Sequence, residues 1–399
     1  MKISILKFKY DKIFVLIFVL ISGNIPFANI IYIINKSFFF LAITILLLIN
    51  ILVVKKAIRK KNFYYFLFLI GAQAVLTFFH FILGNNISGN VLTQFLFFTM
   101  AFLLWINIGE KLFKQIPQLV VGIIKMSLLF HVPAVILYIL GINVLDIIPD
   151  FLKFHNTWDF DSIKTHTVFH NYRAFAIGDP EKWYRNSGPF WEPGAFSGII
   201  IFTFLFFIAR IKSYLPKKRK HTLYWLIIGI VSTQSSAGLI LLPALIVLYQ
   251  MEIREDVKKL RKFIYVGIPL IIITFYLMFI NLPVLQEKIV EQFIMVQDEE
   301  RFWERTRLGT IIILLVVIKN NPLFGVGFGE NGFSNALYKY LGFEIEGLGN
   351  GMFIYITKAG IPFFLLISCL FYYNFKKMYT KKISGVIAFF ILMMALQGE

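Results

Sequence analysis

The fold is decided by RNSGPFWEPGAFSGIIIFTFLFFIAR, residues 185–210. Its first part, RNSGPFWEPGAF (185–196), is a polar, turn-rich mouth, and its second is an apolar run that stops at Arg210. A helix over 193–211 approaches the roughly 20 residues that a lipid core demands. An arginine and a glutamate at the mouth of such a helix are costly unless they are paired or at work. Gly188 and Pro189 argue for a rigid turn that brings side chains to one place. Arg185 carries the planar donor fork that suits a phosphate or pyrophosphate. Glu192 precedes Pro193, which a first helical turn tolerates, so its carboxylate is expected to cap the helix near its positive end. Two readings follow. Either Arg185 and Glu192 form a structural pair, or Arg185 binds a substrate phosphate while Glu192 orients it or accepts a proton.

The rest of the chain shares the apolar character. It is 58% hydrophobic and 18% aromatic, with 46 phenylalanines, well beyond a soluble domain. Spans read at 13–34, 38–54, 63–83, 91–108, 117–140, 193–211, 263–281, 351–373 and 383–397, with a shorter pair at 222–234 and 237–250. No small-residue cleavage site follows the first run, so it reads as a retained helix and not a signal peptide. Cys369 is the single cysteine, which rules out an intrachain disulfide or a thiolate metal site.

The net charge of +18 could suggest nucleic acid, but its distribution excludes that partner. With the N-terminus inside, the inner segments are 1–12, 55–62, 109–116, 210–221, 251–262 and 375–382. They hold 26 of the 40 Lys and Arg but 5 of the 22 Asp and Glu, net +21, while everything else nets −3. Basic loops gather on the cytoplasmic side of a membrane. The expected class is therefore all-α: a polytopic integral membrane protein of about 11–12 transmembrane helices. It forms one membrane domain over 1–399, with large extracytoplasmic loops at 141–192 and 282–350. An odd number of spans would leave the C-terminus outside, and the run Ile383–Leu396 is short. The reading thus allows a partial final helix or the loss of a further one.

Irregular segments carry the rest of the information. Residues 222–250 are too few for two full crossings, and their apex is Ser232-Thr233-Gln234-Ser235-Ser236-Ala237-Gly238. They read either as two tilted helices joined by small residues or as the floor of a cavity open to the outside. Leu308–Ile318 is also short and is expected to lie on the outer surface, as a half-buried or interfacial helix. The second loop carries RFWERTR (301–307), NPLFGVGFG (321–329) and EIEGLGNG (344–351). Arg301, Arg305 and Arg307 beside Phe302 and Trp303 suit an anionic head group with a sugar face, or interfacial anchoring. Gly325, Gly327 and Gly329 follow no strand, so they are no nucleotide fingerprint; they allow close chain packing at a turn. His166 and His170, four apart, with Asp159, Asp161 and His155 nearby, would suit a metal only on a helix. They read instead as solvent-exposed loop histidines. His80 and His131, inside spans, read as interhelical hydrogen-bond partners. Lys358 either snorkels outward or faces a cavity.

In this order the features resemble those of bacterial O-antigen and capsule repeat-unit polymerases and their relatives, the O-antigen ligases. Those proteins have about a dozen spans and two large outer loops. Their Arg-x-x-Gly-x-Phe-x-x-Pro-like element is matched by Arg185, Gly188, Phe190 and Pro193. A Ser/Gly-rich broken hairpin is matched by Ser235-Ser236-Ala237-Gly238. An arginine before an amphipathic run is matched by Arg307, and a Pro-Leu-x-Gly-x-Gly element by Pro322, Leu323, Gly325 and Gly327. An Asn-led helix with a later glycine is matched by Asn350 and Gly360. The similarity covers 180–375 well and the earlier spans by hydropathy alone. Ligases usually carry a histidine just before that Asn; here the position is Gly349, which points toward a polymerase. The resemblance implies a metal-independent, cofactor-free glycosyltransferase of the plasma membrane, with its site on the extracytoplasmic face. Its substrate would be undecaprenyl-diphosphate-linked oligosaccharide, and a chain-length regulator and a flippase are candidate partners. Arg185 and Arg307 would bind the diphosphate, with Arg301 and Arg305 as auxiliaries and Glu192 or Glu346 as the base. The alternatives are a ligase acting on an acceptor such as lipid A-core, or a lipid-linked sugar flippase. A flippase would call for charges deep in the spans and pseudo-repeated halves, and the sequence shows neither clearly.

Overall fold

Proline and basic clusters set several helix ends. Pro193 and Pro216 each open a helix, at a position where the missing N–H has no intrahelical partner to lose. The computed structural model describes residues 15–16, 36–53, 60–82, 89–155, 164–167, 169–176, 184–190, 192–253, 269, 307–327, 330–341 and 351–397. The spans expected at 13–34 and 263–281 therefore lie essentially outside the described residues, as do 282–306 and 342–350 of the second loop.

In chain order the described helices are α1 (Lys36–Val53), α2 (Lys60–Ile82), α3 (Gly89–Ile108), α4 (Leu112–Ile139), α5 (Val144–Ile147) and α6 (Arg173–Ala176). They continue with α7 (Pro193–Ala209), α8 (Pro216–Thr233), α9 (Ser236–Ile253), α10 (Arg307–Asn320) and α11 (Glu330–Leu341). The last are α12 (Gly351–Ala359), α13 (Ile361–Met378) and α14 (Lys382–Gln397). One short antiparallel pair, β1 (Phe154–His155) with β2 (Lys164–His166), qualifies the all-α expectation. Among the described residues, three stretches are long and apolar enough to cross a membrane: Phe63–Ile82, Phe98–Ile139 and Ser236–Ile253. The second of these takes in the tight turn at Gly109, where φ is +60.

The helices fall into two compact units. The first comprises α4–α9 and α14. Its centre is α7, which packs against α4, α8 and α9. This helix is apolar on every side, as expected for one surrounded by others, and it buries Phe196, Phe204 and Phe207 completely. Segments read as basic-side loops also meet in this unit. Arg210 Nη2 lies 3.3 Å from Glu110 Oε2. Buried Glu252 accepts from Thr380 N at 3.2 Å and Thr380 Oγ1 at 2.6 Å, while Lys381 Nζ donates to Met251 O at 2.6 Å.

The second unit comprises α1–α3 and α10–α13, the last as far as Asn374. Helix α10 packs on α11 and α12, burying Ile313, Val317 and Leu337 together. That fits the half-buried helix expected at 308–318.

Two expectations need correction. The arms at 222–234 and 237–250 extend to 18 residues each, and Ser236–Ile253 is long enough to span. Helix α8 starts earlier, at Pro216 ahead of its basic run, and α9 runs on past 250 to Ile253, where Glu252 accepts from Thr380. The span expected at 351–373 is two helices, broken at Gly360 with φ +81.

Candidate active site

Residues 184–190 form a turn between the mouth of α7 and the break that separates α8 from α9, all within the first unit. Asn186, fully buried, holds it there. Its N–H donates to Ser232 O at 2.9 Å. Its Nδ2 donates to Ser127 Oγ at 3.1 Å and Ser232 Oγ at 3.2 Å, and its Oδ1 accepts from Gly188 N at 2.9 Å. Each serine donates onward to its own helix, Ser127 to Ile124 O and Ser232 to Gly229 O. One amide thus joins α4, the turn and α8, and a buried polar knot of this kind is worth most when every member is satisfied.

Glycine shapes the turn. Gly188 has φ +55, which an L side chain rarely adopts, and a Cβ there would stand 2.9 Å from the Phe196 ring. Phe190 stacks on Phe196 at 5.2 Å, both fully buried. The upstream chain clamps the same turn, with Asn171 N donating to Gly188 O at 2.8 Å and Asn171 Nδ2 to Phe190 O at 3.2 Å. Burial pushes the phenol of neighbouring Tyr172 up to about 12.

The α8–α9 break is built from small and polar residues. Gln234 has φ +46, the single positive-φ residue other than glycine among those described. Thr233 Oγ1 donates to Ile230 O and accepts from Ser235 N. Past the break, Gly238 lies so close to α7 that a Cβ would collide with Ser197 Oγ. The turn at 184–190 thus meets the end of α8 at Ser232, while the start of α9 lies against α7 at Ser197.

His131 Nε2 bonds to Tyr184 O at 3.0 Å, so that nitrogen carries the hydrogen. Its Nδ1 lies 3.3 Å from His170 Nε2. His131 is thus a hydrogen-bond partner, but to the loop residues Tyr184 and His170 and not to a second helix as expected. His170 is not the exposed loop residue expected of it: it is fully buried. His166 ends a strand, so the helical geometry that a four-residue metal spacing assumes is absent.

Arg185 sits half-buried in the turn, next to Asn186. Glu192 occupies the N-cap position of α7, with φ −149 and ψ 161, but its side chain makes no capping hydrogen bond. Its Oε1 instead lies alongside Gly194, 3.1 Å from where a Cβ would stand. Arg307 is the first residue of α10, and its side chain lies outside the described residues. Arg301, Arg305 and Glu346 also lie outside them.

A second knot forms within the other unit. Val326 N donates to Thr357 O at 2.9 Å, Gly327 N to Lys358 O at 3.0 Å and Ile361 N to Pro322 O at 2.9 Å. Gly325 and Gly360 have φ +68 and +81. A Cβ on Gly325 would collide with Thr357 O, and one on Gly360 with Leu323 O. Here backbone lies directly on backbone, as expected for Gly325; Gly329 lies outside the described residues. His80 bonds to Phe324 O, and Lys358 Nζ lies 5.3 Å from the centre of the Phe333 ring.

Sequence reasoning missed Asn186 and Ser127. Their partners lie 59 and 46 positions apart in the chain for Asn186, and the one local hint was that Asn186 adjoins Arg185. In comparisons with protein-family models, curated proteins and solved structures, nothing matches the chain.

Proposed function

We propose that this protein is a multi-pass glycosyltransferase of the bacterial plasma membrane that polymerises undecaprenyl-diphosphate-linked oligosaccharide repeat units. In this reading 11–12 helices, about the number the apolar runs allow, carry two outer loops, and the site faces outward. The observation that carries the proposal is the contact through Asn186 between the Arg185–Phe190 turn and the Ser232–Ser235 break. It joins a phosphate-suited arginine to an interrupted helix pair, and irregular backbone among membrane helices is tolerated where it is buried in protein or lines a wet cavity.

The chemistry asks little beyond positioned charge. A hydroxyl oxygen of the acceptor sugar attacks the anomeric carbon of the donor, and the bond from that carbon to the diphosphate oxygen breaks. Undecaprenyl diphosphate leaves with the electron pair, and the hydroxyl proton passes to a carboxylate. Arg185 and Arg307 are assigned to the diphosphate, with Arg301 and Arg305 supporting. They act where negative charge grows on the leaving group, which is electrostatic transition-state stabilisation. Glu192 or Glu346 takes the proton or orients the hydroxyl.

Purified protein supplied with lipid-linked repeat units tests this. Wild type is expected to make long chains, and Arg185→Ala and Arg307→Ala to leave single units, each losing on the order of 100-fold or more in rate. Normal chain lengths from correctly folded Arg185→Ala and Arg307→Ala protein would sink the assignment. Movement of lipid across the bilayer without chain growth would indicate a flippase instead.

A further inference from the structure

A cleft of about 520 Å³ opens between α4 and the first turns of α8. It lies within the first unit, and none of its lining residues belongs to the 184–190 turn. Lys125, Lys217, Lys218 and His221 line it, together with Gly122 and Tyr214, and no acidic side chain does. Lys125 Nζ donates to His221 Nε2 at 3.2 Å and lies 5.0 Å from the centre of the Trp225 ring. The basic run Lys217–Lys220 fills the first turn of α8, which holds no acid. That is the positive end of the helix, where cations are disfavoured. Among the described residues, Lys217 and Lys218 have no ion-pair partner, while nearby Arg210 is engaged by Glu110. An anion in the cleft would offset both the lysine cluster and the helix end.

The surface beyond the cleft says what kind of anion. On α4 the face carrying Lys125 continues at helical spacing through Leu129, Val132 and Ile136, exposed by 63%, 49% and 52%. A charged pocket thus opens onto a bare apolar stripe. From this juxtaposition we propose that the cleft binds the phosphate of an anionic phospholipid, whose acyl chain lies along Leu129, Val132 and Ile136. The charge distribution assigns this end of the helices to the cytoplasmic leaflet, where anionic lipids meet basic pockets between helices. The cleft shares no lining residue with those assigned to sugar transfer, and the proposal does not depend on that activity.

Native mass spectrometry of the full chain in detergent, titrated with phosphatidylglycerol or phosphatidylcholine, tests the proposal. Wild type is expected to retain one phosphatidylglycerol in preference to phosphatidylcholine. Combined Lys125→Gln, Lys217→Gln and Lys218→Gln should lower that affinity on the order of a hundredfold, from about fivefold per lysine. Gly122 has open space over its Cα, so Gly122→Leu should block the cleft with every charge retained. A control with Lys319→Gln, Lys339→Gln and Lys377→Gln removes equal charge elsewhere and should bind as wild type does. Retention of the lipid by the cleft variants, or its equal loss in the control, overturns the site. Displacement by inorganic phosphate as readily as by lipid overturns the lipid assignment in favour of a small-anion pocket.

Discussion

Asn186 does more for the first unit than either charged neighbour that drew notice in the sequence. Its side chain donates to two helices and accepts from the turn it belongs to. Asn186→Ala leaves the Gly188 N–H without its acceptor and takes the donor from Ser127 Oγ and Ser232 Oγ, which keep their bonds to Ile124 O and Gly229 O; a buried polar group left without a partner costs about 1–3 kcal/mol. The variant is expected to lose about 2–4 kcal/mol of stability, read as a lowered Tm in detergent, whereas Arg185→Ala should melt within about 1 kcal/mol of wild type. If the two melt alike, Asn186 is not the anchor. None of this could be read from the chain alone. The motif pointed to Arg185 because charge near lipid is conspicuous. Asn186 gains its role from serines on distant helices, and His170 is likewise buried by a partner 39 positions away.

Among the elements, the break at Gly360 shows where hydropathy misleads. A window that averages apolar residues runs smoothly from 351 to 373, so one span is expected. Yet the chain at Leu323 occupies the space that any side chain at Gly360 would need. Gly360→Ala combines a left-handed backbone with a collision against a carbonyl, and it should cost about 2–5 kcal/mol. Gly122→Ala has open space and should be neutral or stabilise its helix by up to about 1 kcal/mol. Comparing the two by thermal melting separates a glycine required by packing from one that is merely present. A Gly360→Ala protein as stable as wild type would show that the knot at 322–327 yields easily. Helix existence was legible at this scale, because apolar runs and flanking lysines mark it. Helix ends were less so, since α9 runs on through Glu252, a carboxylate held by hydrogen bonds that no periodicity reveals.

At the scale of the whole molecule, the charge asymmetry makes a topological prediction. Cys369 is the single cysteine and is exposed, so a Cys369→Ser background frees the chain for labelling. Lys111→Cys should react with an impermeant maleimide only after the membrane is opened, and Phe151→Cys, at a site 79% exposed, should react in intact cells. The reverse pattern would invert the orientation drawn from the lysines. Contacts between Arg210 and Glu110 and between Glu252 and Thr380 agree with the grouping of those segments at one end of the first unit. The division of the helices into two units had no counterpart in the sequence reading, which treated the chain as one membrane domain, because contacts between remote segments define it.

The docked turn at 184–190 also bears on how the protein is made. Helices α8 and α9 meet at a gap where backbone groups lose their partners, and Ser232 O there accepts from Asn186 N. The donor precedes α8 in the chain, so a ribosome delivers it before the helix pair it completes. Insertion can therefore proceed in order: α4 first, then the turn waiting on Ser127, then the broken pair closing onto a partner already present. A nascent chain lacking that turn would present its later helices to the insertion machinery with an open polar gap. Quality control would then act during synthesis, before the later helices had packed.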